Sequence, residues 1–527
     1  MLLRADHYCW EKVEPSSAGR GVMVKYPGGA LLPTLQFDRN SRTPISVQLG
    51  SALRDMILSG RLQPGERLPS SRTLAKDHGV SRTTAISVYE QLAAEGLIRS
   101  NIGAGAYVAE TLRDGRPTPT PSKGLDEIRS PPRLAQLSAD ASEHYYPRLA
   151  HPENPRPFIT GIPAFDEFPM ALWASMAARY WRQPRNLLLG YPPPEGLMEL
   201  RRAVAMHLRA NRGIACEPEQ VFIFNGAQDA FNRIGNTLLD PGDTVWIENP
   251  GAIGARNSLI SSGARLVPLS IDEEGINVAE GLEIAPEFRL AFVTPAHQHP
   301  LGVTMSLQRR FELLRAAERA GAWIIEDDYV GEFHYAGHPP PTLKSVDTSG
   351  RVIYVGSFSK TLFAALRLGY VVAPPGLVDV FYRIAGATLQ GSAASLQSVV
   401  AGFIEAGHFS SHIRRMRRVY AERLQALLDG AARHMEGLME VAPTETGFHT
   451  VGRLAADFEE LAVARRAADH NILVSPISRF AITPVSQRGL ILGFSSAPPR
   501  MIASATETLG MVLKDMRKQQ ARGRASA

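Results

Sequence analysis

A lysine and a group of acids, each placed directly after a strongly apolar stretch, are the residues best suited to covalent chemistry. Lys360 follows RVIYVGSFS in a serine-rich turn, and the apolar run AWII leads into EDDY, which contains Asp327 and Tyr329. A lysine at the end of a buried strand is partly desolvated, and this favours the free amine that forms a Schiff base. Asp327 has the chemistry to keep a pyridinium nitrogen protonated, and Tyr329 to bond the phenolic oxygen of the same ring. A solvated surface charge is the ordinary alternative for a lysine at such a place.

Groups that bind phosphate lie near Lys360 in the sequence and in one earlier segment. Ser357, Ser359 and Arg367 offer hydroxyl and guanidinium donors, and arginine suits a bidentate contact with phosphate. The segment FNGAQDAFNRI places the amides of Gly226 and Ala227 at a predicted helix N-terminus, where free N–H groups and the helix dipole attract anions. Any helix start has this property, so the segment indicates a phosphate site only together with the other two motifs.

A metal ion is the competing partner for the acids of EDDY. Hard cations need a shell of several oxygen ligands, and no histidine or further run of carboxylates completes one here. We therefore expect no metal site.

The elements that must position these residues follow an α/β rhythm from about Gly190 onward. Apolar strand-like runs alternate with helical patterns: VFIFN, DTVWIE, RLVPLS, RLAFVTPAH, AWIIEDDY, RVIYVGSFSK and RLGYVVAP. Strands this apolar indicate a mostly parallel sheet covered on both faces. Ligands of open sheets of this kind bind at the carboxyl ends of the strands, which is where the three motifs fall.

An N-terminal segment predicts three helices and a hairpin. PISVQLGSALRDMILSG places Ile45, Leu49, Leu53, Met56 and Ile57 at helical spacing. SRTLAKDHGV and SRTTAISVYEQLAAEGLI follow as two shorter helices joined by a glycine-containing turn, the arrangement of a helix-turn-helix. GLIRSNIGAGAYVAE then reads as two short strands around a glycine-rich tip, which suits a wing.

In a winged helix-turn-helix the second helix of the motif enters the major groove of DNA, so Arg82, Thr83 and Thr84 are expected to face bases. Ser71 and Arg72 are expected at phosphates. A small module that contacts protein is the alternative for this topology alone. The complete set predicted at the DNA is Ser70, Ser71, Arg72, Ser81, Arg82, Thr83, Thr84, Tyr89, Gly103 and Gly105.

Length and composition divide the chain into modules. Its 527 residues exceed one ordinary core, and the net charge of +5 permits an anionic partner without requiring one. Two distant cysteines exclude a disulfide framework, and no signal peptide or apolar run of membrane-spanning length is seen, so we expect a cytoplasmic protein without a membrane partner. The expected modules are an N-terminal extension of no assigned role (1–37), a winged helix (38–110), a Pro-rich linker (111–157), a large domain (158–400), a small C-terminal subdomain (401–515) and a basic tail (516–527).

Two family resemblances follow from these motifs. Gly60 through Gly96, with GRLQPGERLPSSRTLAKDHGVSRTT and YEQLAAEG, resembles the GntR family of winged-helix regulators. The remainder resembles fold-type I aminotransferases, and LLDPGDTVWIENPG, TPAHQHPLGVTMSLQRR, IIEDDY and FSKTLFAALRLGY resemble the MocR/GabR family, in which both parts are fused.

The resemblance implies a homodimer that binds promoter double-stranded DNA and carries pyridoxal 5'-phosphate (PLP) as a Schiff base on Lys360. The pyridine nitrogen is then expected on Asp327, the ring hydroxyl near Tyr329 and the phosphate at the donors named above. The full cofactor set is Gly226, Ala227, Gln228, His299, Asp327, Tyr329, Ser357, Ser359, Lys360 and Arg367.

Three positions depart from the resembled pattern. Ala252 and Ile253 stand where an aromatic residue usually stacks on the pyridine ring, and His299 stands where aminotransferases have an asparagine. Ile491 occupies the place of the arginine that binds a substrate carboxylate, for which Arg479 or Arg488 is the candidate replacement. These departures weigh against amino-acid turnover more than against cofactor binding.

Three functions remain open at this point. The first is a regulator whose large domain senses an amine or amino acid through PLP on Lys360. The second is a sensor of PLP itself that controls vitamin B6 genes, and the third is a genuine aminotransferase.

Overall fold

The computed structural model describes residues 37–38, 41, 43–101, 105–110, 133–146, 155–183, 189–335 and 339–525. The chain forms two compact units, Met1–Pro132 and Arg133–Ala527. We call them the N-terminal unit and the large unit.

The N-terminal unit is a winged helix-turn-helix, as the sequence predicts. Its described elements are helices α1 (Ile45–Leu58), α2 (Ser71–His78) and α3 (Arg82–Ala94) and the antiparallel strands β1 (Ile98–Asn101) and β2 (Gly105–Val108). Buried side chains from all five elements form its core, among them Leu49, Leu53, Met56, Ile57, Leu74, Val88, Leu92, Ile98 and Val108. The helical spacing read from α1 therefore marks the face that packs.

Serine caps set the starts of the second and third helices. Ser70 Oγ accepts a hydrogen bond from Thr73 N at 3.1 Å, and Ser81 Oγ accepts one from Thr84 N at 3.0 Å. Each bond satisfies an amide that has no partner inside the helix. Gly79 ends α2 with φ of 62°, a left-handed conformation that glycine adopts without steric cost.

The large unit is built on an eight-stranded sheet with the order β3-β10-β9-β8-β7-β4-β5-β6. Neighbouring strands from β5 through β4, β7 and β8 to β9 are parallel, whereas β10 runs antiparallel to β9 and β3, and β6 antiparallel to β5. All seven strands read from the sequence are present. The strands are β3 (Val221–Phe224), β4 (Thr244–Asn249), β5 (Arg265–Asp272), β6 (Gly275–Ile276), β7 (Leu290–Val293), β8 (Trp323–Asp328), β9 (Val352–Ser357) and β10 (Gly369–Val372).

Helices cover both faces of this sheet. Successive residues of a strand point to opposite faces, so each strand contributes side chains to the packing on both sides. Ile247 and Phe292 pack in one apolar cluster, whereas their neighbours Trp246 and Ala291 pack in another on the opposite face. The helices of the large unit are α4 (Gln136–His144), α5 (Met170–Tyr180), α6 (Met198–Arg212), α7 (Ala227–Leu238), α8 (Ile253–Ser261), α9 (Val278–Ile284), α10 (Leu307–Ala320), α11 (Leu343–Val346), α12 (Phe358–Thr361), α13 (Val378–Thr388), α14 (Ala394–Glu405), α15 (His408–His434), α16 (Glu460–Asp469) and α17 (Pro499–Ala525).

A second, four-stranded antiparallel sheet lies in the C-terminal part, with the order β11-β12-β14-β13. Its strands are β11 (Met439–Val441), β12 (His449–Leu454), β13 (Ser475–Pro476) and β14 (Gly489–Gly493). The long helices α15 and α17 pack against each other beside it.

The structure differs from the sequence at three of the predicted domain limits. The interval 111–157 predicted to be a linker contains α4, which belongs to the large unit, because the stretch between Pro132 and Pro147 has no proline to interrupt a helix. Phe158, predicted to open the large domain, pairs instead with Gly493 at the end of β14. The interval 516–527 read as a basic tail continues α17 as far as Ala525. No helix within the described residues combines the length and apolar character needed to cross a membrane.

Candidate functional site

The start of α3 presents the residues predicted to face bases. Ser81, Arg82 and Thr83 are exposed and Thr84 is half-buried. Ser81 Oγ also lies 2.7 Å from Thr83 Oγ1 and 2.8 Å from Thr84 Oγ1, so these hydroxyls hold one another in place. Arg82 is therefore the long, exposed donor at this helix end, which is the geometry that base-edge recognition in the major groove requires.

The phosphate-contact residues lie at the start of α2. Arg72 and Ser70 are exposed and Ser71 is half-buried. Tyr89, in contrast, is 8% exposed and its hydroxyl donates to Pro69 O at 2.7 Å. Tyr89 therefore lies on the core face of α3 and fixes the turn before α2, and its contact with DNA stays a prediction.

The wing brings a further cation to the same unit. Gly105 has φ of 102°, and a Cβ built there would lie 3.3 Å from Arg67 Nε, so the Arg67 side chain crosses the wing backbone. The sequence does not single out Arg67, because its bridge to Tyr107 joins segments distant in sequence. Gly103, the other predicted wing residue, lies outside the described residues.

The centre of the large unit's candidate site is formed by Lys360 on α12 and Asp327 near the end of β8. Lys360 Nζ donates to Gly161 O at 2.5 Å. Burial lowers the pKa of Lys360 to about 8, and the negative charge of Asp327 partly opposes this shift. Burial also raises the pKa of Asp327 to about 8, helped by the charges of Asp328 and Glu248. Asp327 is 8% exposed, and its Oδ1 has no hydrogen-bond partner.

Tyr329 and His299 lie beside this pair. The Tyr329 hydroxyl donates to His297 O at 3.0 Å, and the rings of Tyr329 and His299 are 5.9 Å apart. Burial lowers the pKa of His299 to about 3, with the charges of His449 and Lys360 adding to the effect. His299 is therefore a neutral imidazole at the ring position, where an uncharged hydrogen-bonding side chain was expected.

Two further histidines, His297 and His449, lie next to His299, and the sequence did not predict the three as a group. His449 lies 4.8 Å from His297 and 5.4 Å from His299 between ring centroids. Burial lowers the pKa of His449 to about 4, and that of His297 falls well below its ordinary value for the same reason. His449 is distant in sequence from His297 and His299, so no local pattern groups the three. The one available signal was His449 itself, a histidine inside the apolar run GFHTVG. Nowhere in the described ranges do three or more histidine, cysteine or carboxylate side chains form a group able to hold a metal ion.

The predicted phosphate donors converge at the other end of the site. Gly226 caps α7 with φ of 91°, and a Cβ there would lie 3.7 Å from the Arg367 guanidinium. Arg367 Nη2 donates to Asn225 O at 3.0 Å, and Ser357 Oγ accepts from Ser359 N at 3.2 Å. The start of α7, the serine turn and Arg367 thus share one corner of the sheet, at which an anion would meet several donors.

Close backbone packing holds this corner together. A Cβ at Gly369, on β10, would come within 3.0 Å of Ala227 N, and a Cβ at Gly254 would come within 2.0 Å of Gln228 Nε2. The sequence does not single out Gly369, although RLGY places it two residues after Arg367. The Gln228 side chain reaches Gly254 at the start of α8, so its predicted cofactor contact would be through its backbone amide at the start of α7.

A cluster of apolar side chains, which we call the apolar wall, lies next to His299. Ile253, Ile477, Phe480 and Ile491 form one buried cluster, and Phe480 lies 5.1 Å from His299. Of the two candidate replacements for the arginine absent at Ile491, Arg479 is half-buried and lies 5.8 Å from the Tyr146 ring. Arg488 is exposed just before β14, and the structure does not bring it to the other site residues.

These residues fit PLP by their chemistry. The unpaired, buried carboxylate oxygen of Asp327 is an acceptor that a protonated ring nitrogen would satisfy, and a positive charge there would offset the burial that raises its pKa. The amine of Lys360 has a lowered pKa, and an anion-binding corner lies at a helix start. Ala252 and Ile253 bring no aromatic ring to the position of the expected ring stack.

Comparison with known proteins agrees with both units. Aminotransferase class I and II matches residues 161–491, and the family of bacterial regulatory proteins named gntR matches residues 45–108. Alpha-aminoadipate aminotransferase LysN of Thermus thermophilus, solved with N-(5'-phosphopyridoxyl)-L-leucine, is 28% identical with a TM-score of 0.63, covering 69% of this chain and 92% of its own. The fold of the large unit is thus one that binds PLP.

Relatives of nearly full length are transcriptional regulators. The probable rhizopine catabolism regulatory protein MocR of Rhizobium meliloti is 39% identical over 90% of this chain and 95% of its own length. The HTH-type pyridoxine biosynthesis transcriptional regulator PdxR of Corynebacterium glutamicum is 28% identical over 88% of this chain and 96% of its own. The chain therefore belongs to the MocR family of HTH-type transcriptional regulators, in which a GntR-type DNA-binding domain is joined to an aminotransferase-like domain.

Proposed function

We propose that this regulator binds PLP at Lys360, and that a small primary amine or amino acid reacting there is the effector that changes its binding to promoter DNA. The observation that carries the proposal is the pairing of Lys360, whose pKa is lowered to about 8, with Asp327, whose buried Oδ1 has no partner. PLP, when bound, supplies an aldehyde that condenses reversibly with primary amines.

Each residue of the site has a definite task in this proposal. Lys360 supplies a free amine at Nζ, held toward the cofactor by Gly161 O. Asp327 Oδ1 would accept a hydrogen bond from the protonated ring nitrogen, and Tyr329 would offer its hydroxyl to the ring oxygen. Neutral His299 contributes a hydrogen-bonding ring without a competing positive charge.

The phosphate end anchors the cofactor without covalent chemistry. The amides at the start of α7, Gly226, Ala227 and Gln228, offer donors with the positive end of a helix dipole. Arg367 provides a guanidinium, and the hydroxyls of Ser357 and Ser359 complete the set. Several donors on separate elements also fix the cofactor's orientation relative to Lys360.

The apolar wall favours sensing over turnover. Aminotransferases must hold an amino acid and a keto acid in turn, and Ile491 supplies no charge for their carboxylates. An effector needs to be bound only once to shift an equilibrium, provided that it prefers one conformation over the other. The names of MocR and PdxR connect those relatives with rhizopine catabolism and pyridoxine biosynthesis. Sensing of PLP itself is therefore the second candidate, and genuine transamination the third.

On the DNA side, we propose a homodimer in the cytoplasm whose two winged helices bind repeated half-sites. Arg82 and the threonines after it read bases, while Arg72 and the wing around Gly105 contact the backbone. Exposed large apolar side chains in the segment 170–206 are candidates for burial in such a dimer, which would remove their contact with water. They are Met170, Trp181, Leu189, Tyr191 and Met206.

The test compares the native protein with Lys360→Ala and with Lys518→Ala, a control at an exposed lysine. After addition of PLP, the native protein and the control should gain a visible absorbance band that borohydride removes, and Lys360→Ala should not. Promoter fragments are then titrated with and without primary amines. Amines that change the band should change DNA affinity or bending.

The outcomes separate the three functions. If amines alter the band while DNA binding never changes, coupling is refuted. If PLP alone changes DNA binding and amines do not, the protein is a PLP sensor. Sustained conversion of an amino acid and a keto acid would establish an aminotransferase.

A further inference from the structure

The stretch just after the proline-rich region docks onto the wall of the candidate effector site through one tyrosine. Tyr146 lies two residues beyond the end of α4. Its amide donates to Asn257 Oδ1 at 3.0 Å, and Asn257 Nδ2 donates back to Tyr146 O at 2.8 Å. The ring packs against the apolar cluster of Ile253, Ile477, Phe480 and Ile491. The Tyr146 backbone is therefore held against α8, and its ring packs on the apolar cluster.

Two arginines flank that ring. The guanidinium carbon of Arg256 lies 5.0 Å from the Tyr146 ring centroid and that of Arg479 lies 5.8 Å away. Arg256 Nε and Nη1 are buried and have no hydrogen-bond partner. Burial lowers the pKa of Arg256, and Tyr146 is the group that opposes this shift. The Tyr146 ring is thus a weak substitute for a true anionic partner of Arg256.

A short path joins this tyrosine to the cofactor residues. Phe480 shares the apolar cluster with Tyr146 and lies 5.1 Å from His299, which lies 5.9 Å from Tyr329. Gly251 N donates to Phe480 O at 3.1 Å, so the loop carrying Phe480 and Arg479 is tied to the end of β4. Phe480 therefore connects the surroundings of His299 with the tyrosine ring that packs on Arg256.

We propose that Arg256, with Arg479 beside it, is a carboxylate site closed by Tyr146, and that an effector carrying a carboxylate displaces the Tyr146 ring. The inference rests on the proposed function, since the effector's amine reacts at PLP. A bidentate charge-assisted contact replaces a cation–π contact, which gives the carboxylate a differential affinity for the state with Tyr146 released. α4 then loosens at the point where the chain leads back to the winged helix, so the site itself signals to the DNA-binding unit.

The experiment uses full-length protein loaded with PLP and two matched ligand pairs that differ only in the carboxylate: L-leucine with 3-methylbutylamine, and L-alanine with ethylamine. Hydrogen exchange of the α4 amides is followed by mass spectrometry, and affinity by the visible absorbance. The amino acids should speed exchange in α4, and the plain amines should not.

Variants distinguish the proposed closure of the Arg256 site by Tyr146, which we call the clasp, from general destabilisation. Tyr146→Ala should bind L-leucine about fivefold more tightly, because no cation–π contact has to be broken, and should leave 3-methylbutylamine unchanged. Tyr145→Ala, at an exposed neighbour, should behave like the native protein. Arg256→Gln should lose the preference for L-leucine over 3-methylbutylamine.

Two results would overturn the inference in distinguishable ways. If none of the four ligands changes the absorbance, the proposed function fails and the clasp falls with it. If all four change the absorbance but α4 exchange is equal for both members of each pair, and Tyr146→Ala gains no affinity for L-leucine, the clasp alone is refuted.

Discussion

The lowered pKa of Lys360 makes a quantitative prediction about how fast PLP is captured. An amine attacks an aldehyde only in its neutral form, so the capture rate follows the neutral fraction of Lys360. With a pKa of about 8 in place of 10.5, about one molecule in ten carries a neutral Lys360 at pH 7, compared with roughly one in three thousand for an ordinary lysine. Burial of the amine is the main cause, so the structure predicts roughly 300-fold faster capture than an exposed lysine would give.

The sign of the pH dependence follows directly. The folded pKa of Lys360 is depressed, so the rate should rise with pH, with its midpoint near pH 8 rather than near pH 10.5. Asp327→Asn removes the charge that raises the pKa of Lys360, so the midpoint should move to lower pH. The same change removes the partner for the ring nitrogen, so the bound cofactor should be held more weakly.

The assay is stopped-flow absorbance after mixing cofactor-free protein with PLP across the range from about pH 6 to about pH 11.5. The reaction of PLP with Nα-acetyl-lysine under the same conditions corrects for titration of PLP itself. A midpoint near 10.5 would show that Lys360 is an ordinary lysine, and an upward shift in Asp327→Asn would contradict the assigned direction of the charge effect.

Three further predictions concern the two units separately. Arg82→Ala should cost about 1–3 kcal/mol of promoter affinity and relax base preference at one position; gel-shift titration against Glu90→Ala, an exposed change on the same helix, checks this. Leu53→Ala should lower the free energy of unfolding of the winged helix by about 2–5 kcal/mol, because the side chain is fully buried, whereas Leu58→Ala, at an exposed leucine, should have little effect in the same denaturant titration. Gly226→Ala should cost about 1–3 kcal/mol of stability, because φ of 91° is strained for alanine, and equal PLP affinity in this variant would argue against a phosphate site at α7.

Local sequence predicted the parts of the protein that depend on periodicity and on residue type. The alternation of apolar strands with helices predicted the mostly parallel sheet, and helical segments joined by a glycine-containing turn predicted the helix-turn-helix. Lys360 and Asp327 were predicted because both follow apolar strands, and the carboxyl ends of parallel strands meet at one edge. Each of these signals lies within a stretch of about a dozen residues, where local backbone geometry determines which helix or strand forms.

Features set by packing between distant segments escaped prediction. Tyr89 occurs in a DNA-binding motif, yet its helix position turns it into the core. The helix α4 lies in what reads as linker, and its stability depends on docking against α8, far along the chain.

The sequence by itself thus determined the two modules, the order of their elements and the residues able to hold PLP. Only the tertiary structure decided that three histidines form one neutral wall, that Arg67 crosses the wing and that Tyr146 covers Arg256. The physical reason is that burial, unpaired donors and shifted pKa values are properties of surroundings, and the surroundings of these residues are built from segments that only folding brings together.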